Sequence, residues 1–245
     1  MSRPKLYTLE QVENILQLKT WWALWGVLPL ANRMVLLVVN HTKISPNIIS
    51  ITAFFLRIIS GISFLKGDWS FDIVGAFFFY FAYVLDCIDG PVARLTNKSS
   101  EFGRYLDHVS DLIGDLFILS CLALGQGQLF SIMIISMCVM HIFESYISYL
   151  TGFIIKDRQF DTKNTTHKFS GILQLYQNYR LFFLNKNIKS FVSFPDYEFL
   201  VFILFPVIGI PLKGILFGFF ILICVILYTI LSTFWAIHSG HSKFP

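Results

Sequence analysis

The sequence predicts an all-α integral membrane protein: six transmembrane helices preceded by an N-terminal interfacial amphipathic helix. Three observations carry this. Of 245 residues, 55% are hydrophobic and 14% charged, with a mean hydropathy of +0.65, against roughly 25% charged residues in a soluble domain. Apolar runs near the ~20-residue spanning length recur from residue 47 onward. Those runs lack the alternation of a barrel strand, and backbone in lipid must satisfy its own hydrogen bonds. A soluble globular domain is excluded.

Residues 1–45 read as a juxtamembrane segment and 46–245 as one membrane domain without internal repeats. Near the start, Thr8 and Gln11 have capping-box spacing. Leu9, Val12, Ile15 and Leu16 then share a face ahead of Trp21, Trp22 and Trp25, the composition of an interfacial helix. No apolar core follows Arg3 and Lys5 closely enough for a secretory signal. The run ALWGVLPLANRMVLLVVN is interrupted by Pro29, Asn32 and Arg33, and the expectation is that it stays at the interface. The spans expected are 47–66, 71–93, 104–126, 128–153, 194–212 and 214–237. Cys87, Cys121, Cys138 and Cys224 all fall in these spans without a CxxC pair, and read as small packing residues.

Basic residues orient the chain. Arg3, Lys5, Lys19, Arg33 and Lys43 precede the first span, and Lys98 and Arg104 lie between the second and third. Lys156, Arg158, Lys163, Lys168, Arg180, Lys186 and Lys189 follow the fourth, and Lys243 ends the chain. The opposite side carries only Lys66 and Lys213. The positive-inside rule therefore predicts a cell-membrane protein with both termini, and residues 86–111, facing the cytoplasm. A net charge of +4 suits anionic headgroups, at roughly 1 kcal/mol per basic residue near the surface. No nucleic-acid partner is expected, because no basic stripe accompanies a recognisable binding module.

The chemistry concentrates in DCIDGPVARLTNKSSEFGRYLDHVSD, residues 86–111. Asp86 and Asp89 are three apart and Asp107 and Asp111 four apart, so each pair shares a helix face. The two helices run antiparallel across a short connection, and all four carboxylates are expected to converge. Such a set repels itself unless a cation intervenes, and hard ions such as Mg²⁺ or Mn²⁺ take oxygen ligands. Structural zinc is disfavoured without Cys or His in a ligand pattern. His108 points about 100° from Asp107 around the helix and is left outside the metal set. Two carboxylate-held ions suit displacement at a phosphate ester. Gly90, Gly103 and Ala93 leave room for a nucleotide, and Arg94 offers a planar fork for phosphate oxygens. One aspartate alone would read as a cap or loop residue; the whole set does not.

The pattern Asp86-x-x-Asp89-Gly90-x-x-Ala93-Arg94, eight residues, Gly103-x-x-x-Asp107-x-x-x-Asp111 resembles the signature of the CDP-alcohol phosphotransferases at every position. Pro46-Asn47 also sits where that family commonly has "PN", and the six-span plan is similar. The resemblance does not reach residues 1–45 or the 154–193 connection. It implies a CDP-linked donor at the cytoplasmic mouth and an alcohol acceptor that displaces CMP, in phospholipid biosynthesis. It further implies that Asp86, Asp89 and Asp107 ligate two divalent ions. Asp111 would be the general base and join the metal set. Asp89, Gly90, Ala93, Arg94 and Gly103 would bind the cytidine diphosphate, and the enzyme would be a homodimer. CDP-diacylglycerol with a small polar acceptor is the preferred pairing, with CDP-choline or CDP-ethanolamine and diacylglycerol the alternative.

Deeper charges invite pairing. At ~1.5 Å per residue, Arg57 lies roughly 15 Å from the first span's start, level with Asp115 and Glu144, and pairing with one of these two is expected. His141 reads as a satisfied core residue. Lys156, Arg158 and Lys163 leave the fourth span where an acceptor would approach, and a phosphorylated acceptor would want such cations. A loop resting on headgroups is the plainer reading. LQLYQNYRLFFL, with Tyr176, Tyr179, Phe182 and Phe183, reads as a second interfacial helix. From other classes, a divalent-cation transporter would need acids along a continuous path, whereas these gather at one mouth. A non-catalytic scaffold would be expected to have lost an aspartate.

Overall fold

The computed structural model describes residues 6–16, 19–157 and 185–239, with 175, 178, 179, 182 and 183, the side chains of 153–157 and 235–239 excepted. Arg158, Lys163, Lys168, Arg180, Tyr176 and Lys243, the side chain of Lys156 and most of the expected second interfacial helix lie outside these residues.

Helix α1 (Leu9–Asn14) begins with the expected capping box. Gln11 N donates to Thr8 Oγ1 at 3.4 Å, and Thr8 N to Gln11 Oε1 at 3.0 Å. Its Val12 is buried among residues of α2 and α4. Helix α2 (Ala23–His41) opens with a π-helical turn, Ala23–Val27, and continues as an α-helix. Here the sequence expectation needs correcting, since α2 is an unbroken 19-residue helix long and apolar enough to cross a membrane. Pro29 follows directly on the π-helical turn, so its missing N–H falls where the helical hydrogen-bond register changes. Asn32 is buried rather than disruptive.

The chain before α2 folds back along it. Tyr7 N donates to Asn40 Oδ1 and Tyr7 OH to the Leu95 carbonyl, each at 2.8 Å. Residues 7–41 therefore form a hairpin whose two ends meet at the C-terminal end of α4 (Trp69–Leu95). At the hairpin's bend Trp22 stacks on Phe199, with ring centroids 3.9 Å apart. Trp22 N donates to Asp196 Oδ1 at 2.7 Å.

Four long helices follow the expected order: α3 (Pro46–Phe64), α4, α5 (Glu101–Gly125) and α6 (Ile132–Asp157). Helix α7 covers 194–207 in three joined pieces, Phe194–Glu198, a π-helical Phe199–Leu204 and Phe205–Val207. At ~1.5 Å per residue it is about 20 Å long. Helix α8 (Pro211–Ser239) completes the chain. By length and apolarity the six candidate spans are Ala23–His41, Pro46–Phe64, Trp69–Leu95, Glu101–Gly125, Ile132–Gly152 and Pro211–Phe234. The count matches the sequence reading, but α2 replaces the shorter 194–212 segment.

Contacts nonetheless show α7 lying along the first half of α4, from Trp69 to Phe79. Trp69 Nε1 donates to the Val207 carbonyl at 2.9 Å, so the end of α7 lies beside the start of α4. The beginning of α7 is joined to the α2 hairpin through Asp196. At the Trp69 end, Gly67 has φ +71°, and a Cβ there would overlap the Gly125 carbonyl. Glycine at that position lets the α3–α4 turn press against the end of α5.

Helix α3 packs most extensively on α4 and α5. One core holds Phe64, Phe79, Ile118, Leu122, Met137, Tyr197 and Phe202. A second joins α2 to α4 through Val27, Ala31, Val35, Tyr83, Ile88 and Val92. Close packing of this kind, rather than escape from water, holds helices together in lipid. Of the cysteines, Cys121 is buried, while Cys224 is exposed on α8.

Candidate active site

The helix ends at the Leu95 side place the carboxylates. Ser45 caps α3, accepting from Ile48 N, and Pro46 starts it. Ser100 caps α5, accepting from Gly103 N at 2.9 Å. Between them α4 ends, with Pro91 inside its last turns. Proline provides no N–H, so the Cys87 carbonyl loses its helical donor between Asp86 and Asp89.

Asp86 and Asp89 from α4 and Asp107 from α5 each offer one carboxylate oxygen, all within 4.8 Å of one another. An all-oxygen, all-anionic set of this size fits a hard divalent ion such as Mg²⁺ or Mn²⁺. Asp89 is buried, and Ser50 Oγ on α3 donates to its Oδ2 at 2.5 Å. Sequence reasoning missed Ser50. Its place one turn after Pro46 on α3 carries no signal until α3 is packed on α4.

Asp111 lies beside the trio, one turn beyond Asp107 on α5. Arg57 claims it. Arg57 is 2% exposed. Its Nη1 lies 2.7 Å from Asp111 Oδ1, Nε 3.2 Å from Asp115 Oδ1, and Nη2 3.7 Å from Asp86 Oδ1. The expected pairing with Asp115 is therefore present, but Glu144 is not a partner; it accepts from Ser148 Oγ at 2.7 Å. Charge balance explains the arrangement, since one guanidinium fork offsets three neighbouring carboxylates that would otherwise repel one another. Gly114 makes room for it, because a Cβ there would lie 2.5 Å from Arg57 Cδ. Glu198, buried on α7, lies beside Asp115; nothing in residue spacing linked these two.

Two cavities flank the carboxylates. The first, about 390 Å³, brings together Asp89, Gly90, Ala93, Arg94, Gly103 and Asp107, with Pro46, Asn47 and Ser50 of α3. All five residues expected at a nucleotide site thus line one space. A Cβ at Gly90 would lie 3.3 Å from Arg94 Nη1, and one at Gly103 3.3 Å from Asn47 Oδ1, so both glycines keep this space open. The second, about 440 Å³, is lined by Asp111 and Asp115 and extends to α6, α8 and the segment before α7. His108 and His141 both line it. His141 is buried, yet its Nδ1 has no partner among the described residues, so it is not the satisfied core residue expected.

The sequence profile of the CDP-alcohol phosphatidyltransferases matches residues 43–232. An archaetidylinositol phosphate synthase of Pyrococcus horikoshii is 33% identical over 82 residues, 34% of this chain and 42% of that one. An Arabidopsis thaliana CDP-diacylglycerol–inositol 3-phosphatidyltransferase 1 is 30% identical over 110 residues, 42% of this chain and 44% of that one. A Gallus gallus cholinephosphotransferase 1 is 41% identical over 61 residues, 24% and 18% of the two chains. The chain thus matches less than half the length of each of these curated relatives. The crystal structure of Mycobacterium tuberculosis phosphatidylinositol phosphate synthase (PgsA1) with CDP-DAG bound aligns over 86% of this chain and 92% of that one, at 16% identity and a TM-score of 0.47. With the full aspartate signature lying inside a profile match that covers most of its length, this chain belongs to the CDP-alcohol phosphatidyltransferase family.

Proposed function

We propose that the protein transfers a substituted phosphate, preferably phosphatidyl from CDP-diacylglycerol, to an alcohol with release of CMP. The observation that carries this reading is the carboxylate trio opening onto the cavity of Gly90, Ala93, Arg94 and Gly103, with Asp111 beside it. In this reading Asp86, Asp89, Asp107 and Asp111 hold two divalent ions, Mg²⁺ or Mn²⁺. Such ions, when bound, would neutralise the diphosphate and the charge that develops during displacement.

The chain's own groups do the rest. Arg94 binds a phosphate oxygen by a charge-assisted hydrogen bond. The two glycines let the nucleotide approach the backbone. Asp111 accepts the proton of the acceptor hydroxyl as its oxygen bonds to phosphorus and the bond from phosphorus to CMP oxygen breaks. Arg57 fixes the orientation of Asp111. Residues 46–245 form the catalytic membrane domain, against which the described part of the preceding segment packs through Val12, Val27 and Val35. The aspartate end faces the cytoplasm, in keeping with the basic residues flanking it.

The test is CMP release by purified protein with CDP-diacylglycerol, Mg²⁺ or Mn²⁺ and a panel of alcohols, with Asp111→Asn alongside. Acceptor-dependent CMP that disappears in the variant is expected. CDP-choline and CDP-ethanolamine with diacylglycerol form the second arm. Silence from all three donors would refute the proposal.

A further inference from the structure

The second cavity has a composition of its own. Eight of its twenty lining residues carry a hydroxyl, among them Ser145, Ser148, Tyr228, Thr229 and Ser232. Its one described cationic residue, Lys189, shares the lining with Glu144, Asp111 and Asp115, and no arginine is among the described lining residues. Lys189 Nζ has no ion pair within 4.0 Å among the described residues, although the side chain lies in the field of Glu144 and Asp196. His141, 1% exposed, presents a ring whose Nδ1 has no partner among the described residues. Among the described residues the ring nitrogen thus has no partner and the ammonium no ion pair, where leaving such groups unmet is costly.

We propose that this cavity receives the acceptor, and that its lining selects an uncharged polyhydroxyl alcohol over a phosphorylated or zwitterionic one. The inference rests on the transferase reading above, since it takes Asp111 as the group facing the acceptor hydroxyl. The cavity reaches Asp111 and the Gly90–Arg94 space reaches Asp107, one turn earlier on α5, so donor and acceptor would meet at the carboxylates. A phosphate monoester there would face Asp111, Asp115 and Glu144, and among the described residues the cations beside them are Lys189 and an Arg57 already committed to the two aspartates; like charges in a poorly solvated site repel strongly. A polyol avoids that repulsion. Each of its hydroxyls both donates and accepts, matching a wall that alternates an acceptor (Glu144), a donor (Lys189), a ring nitrogen of either kind (His141) and many hydroxyls. Glu144 is already steered by Ser148 at 2.7 Å, leaving its other oxygen for a ligand.

The experiment measures CMP release from CDP-diacylglycerol micelles by the full chain with myo-inositol, glycerol, inositol 1-phosphate, glycerol 3-phosphate or serine. An unphosphorylated polyol is expected to give the highest kcat/KM. Lys189→Met and Glu144→Gln should each raise the polyol KM about tenfold, the loss of one charge-assisted hydrogen bond, while the KM for CDP-diacylglycerol stays within about twofold. Ser148→Ala, a milder change, should raise the polyol KM about threefold, the loss of one neutral hydrogen bond, and serves if a charge variant fails to fold. Preference for a phosphorylated acceptor or for serine would overturn the proposal while leaving the transferase reading intact. So would variants that raise the donor KM instead of the acceptor KM. Absence of CMP from every donor and acceptor would overturn the transferase reading, and this inference with it.

Discussion

Replacing Arg57 with Met removes the one guanidinium that touches Asp86, Asp111 and Asp115, at 3.7, 2.7 and 3.2 Å. Methionine keeps much of the stem's packing, so the charge is the main loss. Breaking a buried ion pair by deleting one partner costs about 3–5 kcal/mol, because the other charge is left uncompensated. Asp115 is only 2% exposed, which puts it fully in that regime, whereas Asp111 and Asp86 retain 32% and 22% side-chain exposure. The lower half of the range is therefore expected, about 3–4 kcal/mol. At 2–4 °C per kcal/mol for a chain of this size, the melting temperature in detergent should fall by roughly 6–16 °C. The same variant should be rescued in part by millimolar Mg²⁺ or Mn²⁺, since a divalent ion replaces the missing positive charge beside Asp86 and Asp111. The assay is thermal unfolding of variant and parent, each with and without divalent ion. A fall below about 1 °C would mean that the fork contributes nothing to the fold, and equal metal effects in both proteins would refute the counter-charge argument.

Three further outcomes follow from the same geometry. Gly114→Ala places a methyl 2.5 Å from Arg57 Cδ; such overpacking costs about 1–3 kcal/mol, so both melting temperature and turnover should fall although no functional group is removed. Ser50→Ala deletes the 2.5 Å donor to Asp89. It should raise the divalent-ion concentration for half-maximal activity by about tenfold, the equivalent of one hydrogen bond to a charged group, while leaving the melting temperature nearly unchanged at saturating metal. The third concerns Lys189, whose ammonium burial holds below the ordinary lysine range, with Glu144 and then Asp196 pulling it back up. A folded-state value below the unfolded one means that the unfolded chain binds the extra proton, so stability rises as pH climbs from the lowered value to the ordinary lysine range. Lys189→Met should flatten that rise in a melting-temperature profile taken from neutral to alkaline pH.

The long helices α3 to α6, the capping box at Thr8 and the gathering of Asp89, Gly90, Ala93, Arg94 and Gly103 around one space were legible in the sequence. Each depends on local patterning or on a fixed spacing along one helix. Asp86, Asp89, Gly90, Ala93 and Arg94 lie within nine consecutive residues, so their sharing of a face follows from helical period alone. Asp107 needed only a short antiparallel connection to reach them. Tertiary structure decided the rest, because it depends on which helix lies beside which. Arg57, 29 residues from Asp86 in sequence and 58 from Asp115, ties Asp86, Asp111 and Asp115 together. Ser50 reaches Asp89 only because α3 packs on α4. Lys189, Glu144 and His141 form a second cavity only once the segment before α7 closes against α6 and α8. Whether α2 stays at a surface or stands as a helix of spanning length turned on its packing against α4, which buried the Asn32 that its composition had offered as an interruption.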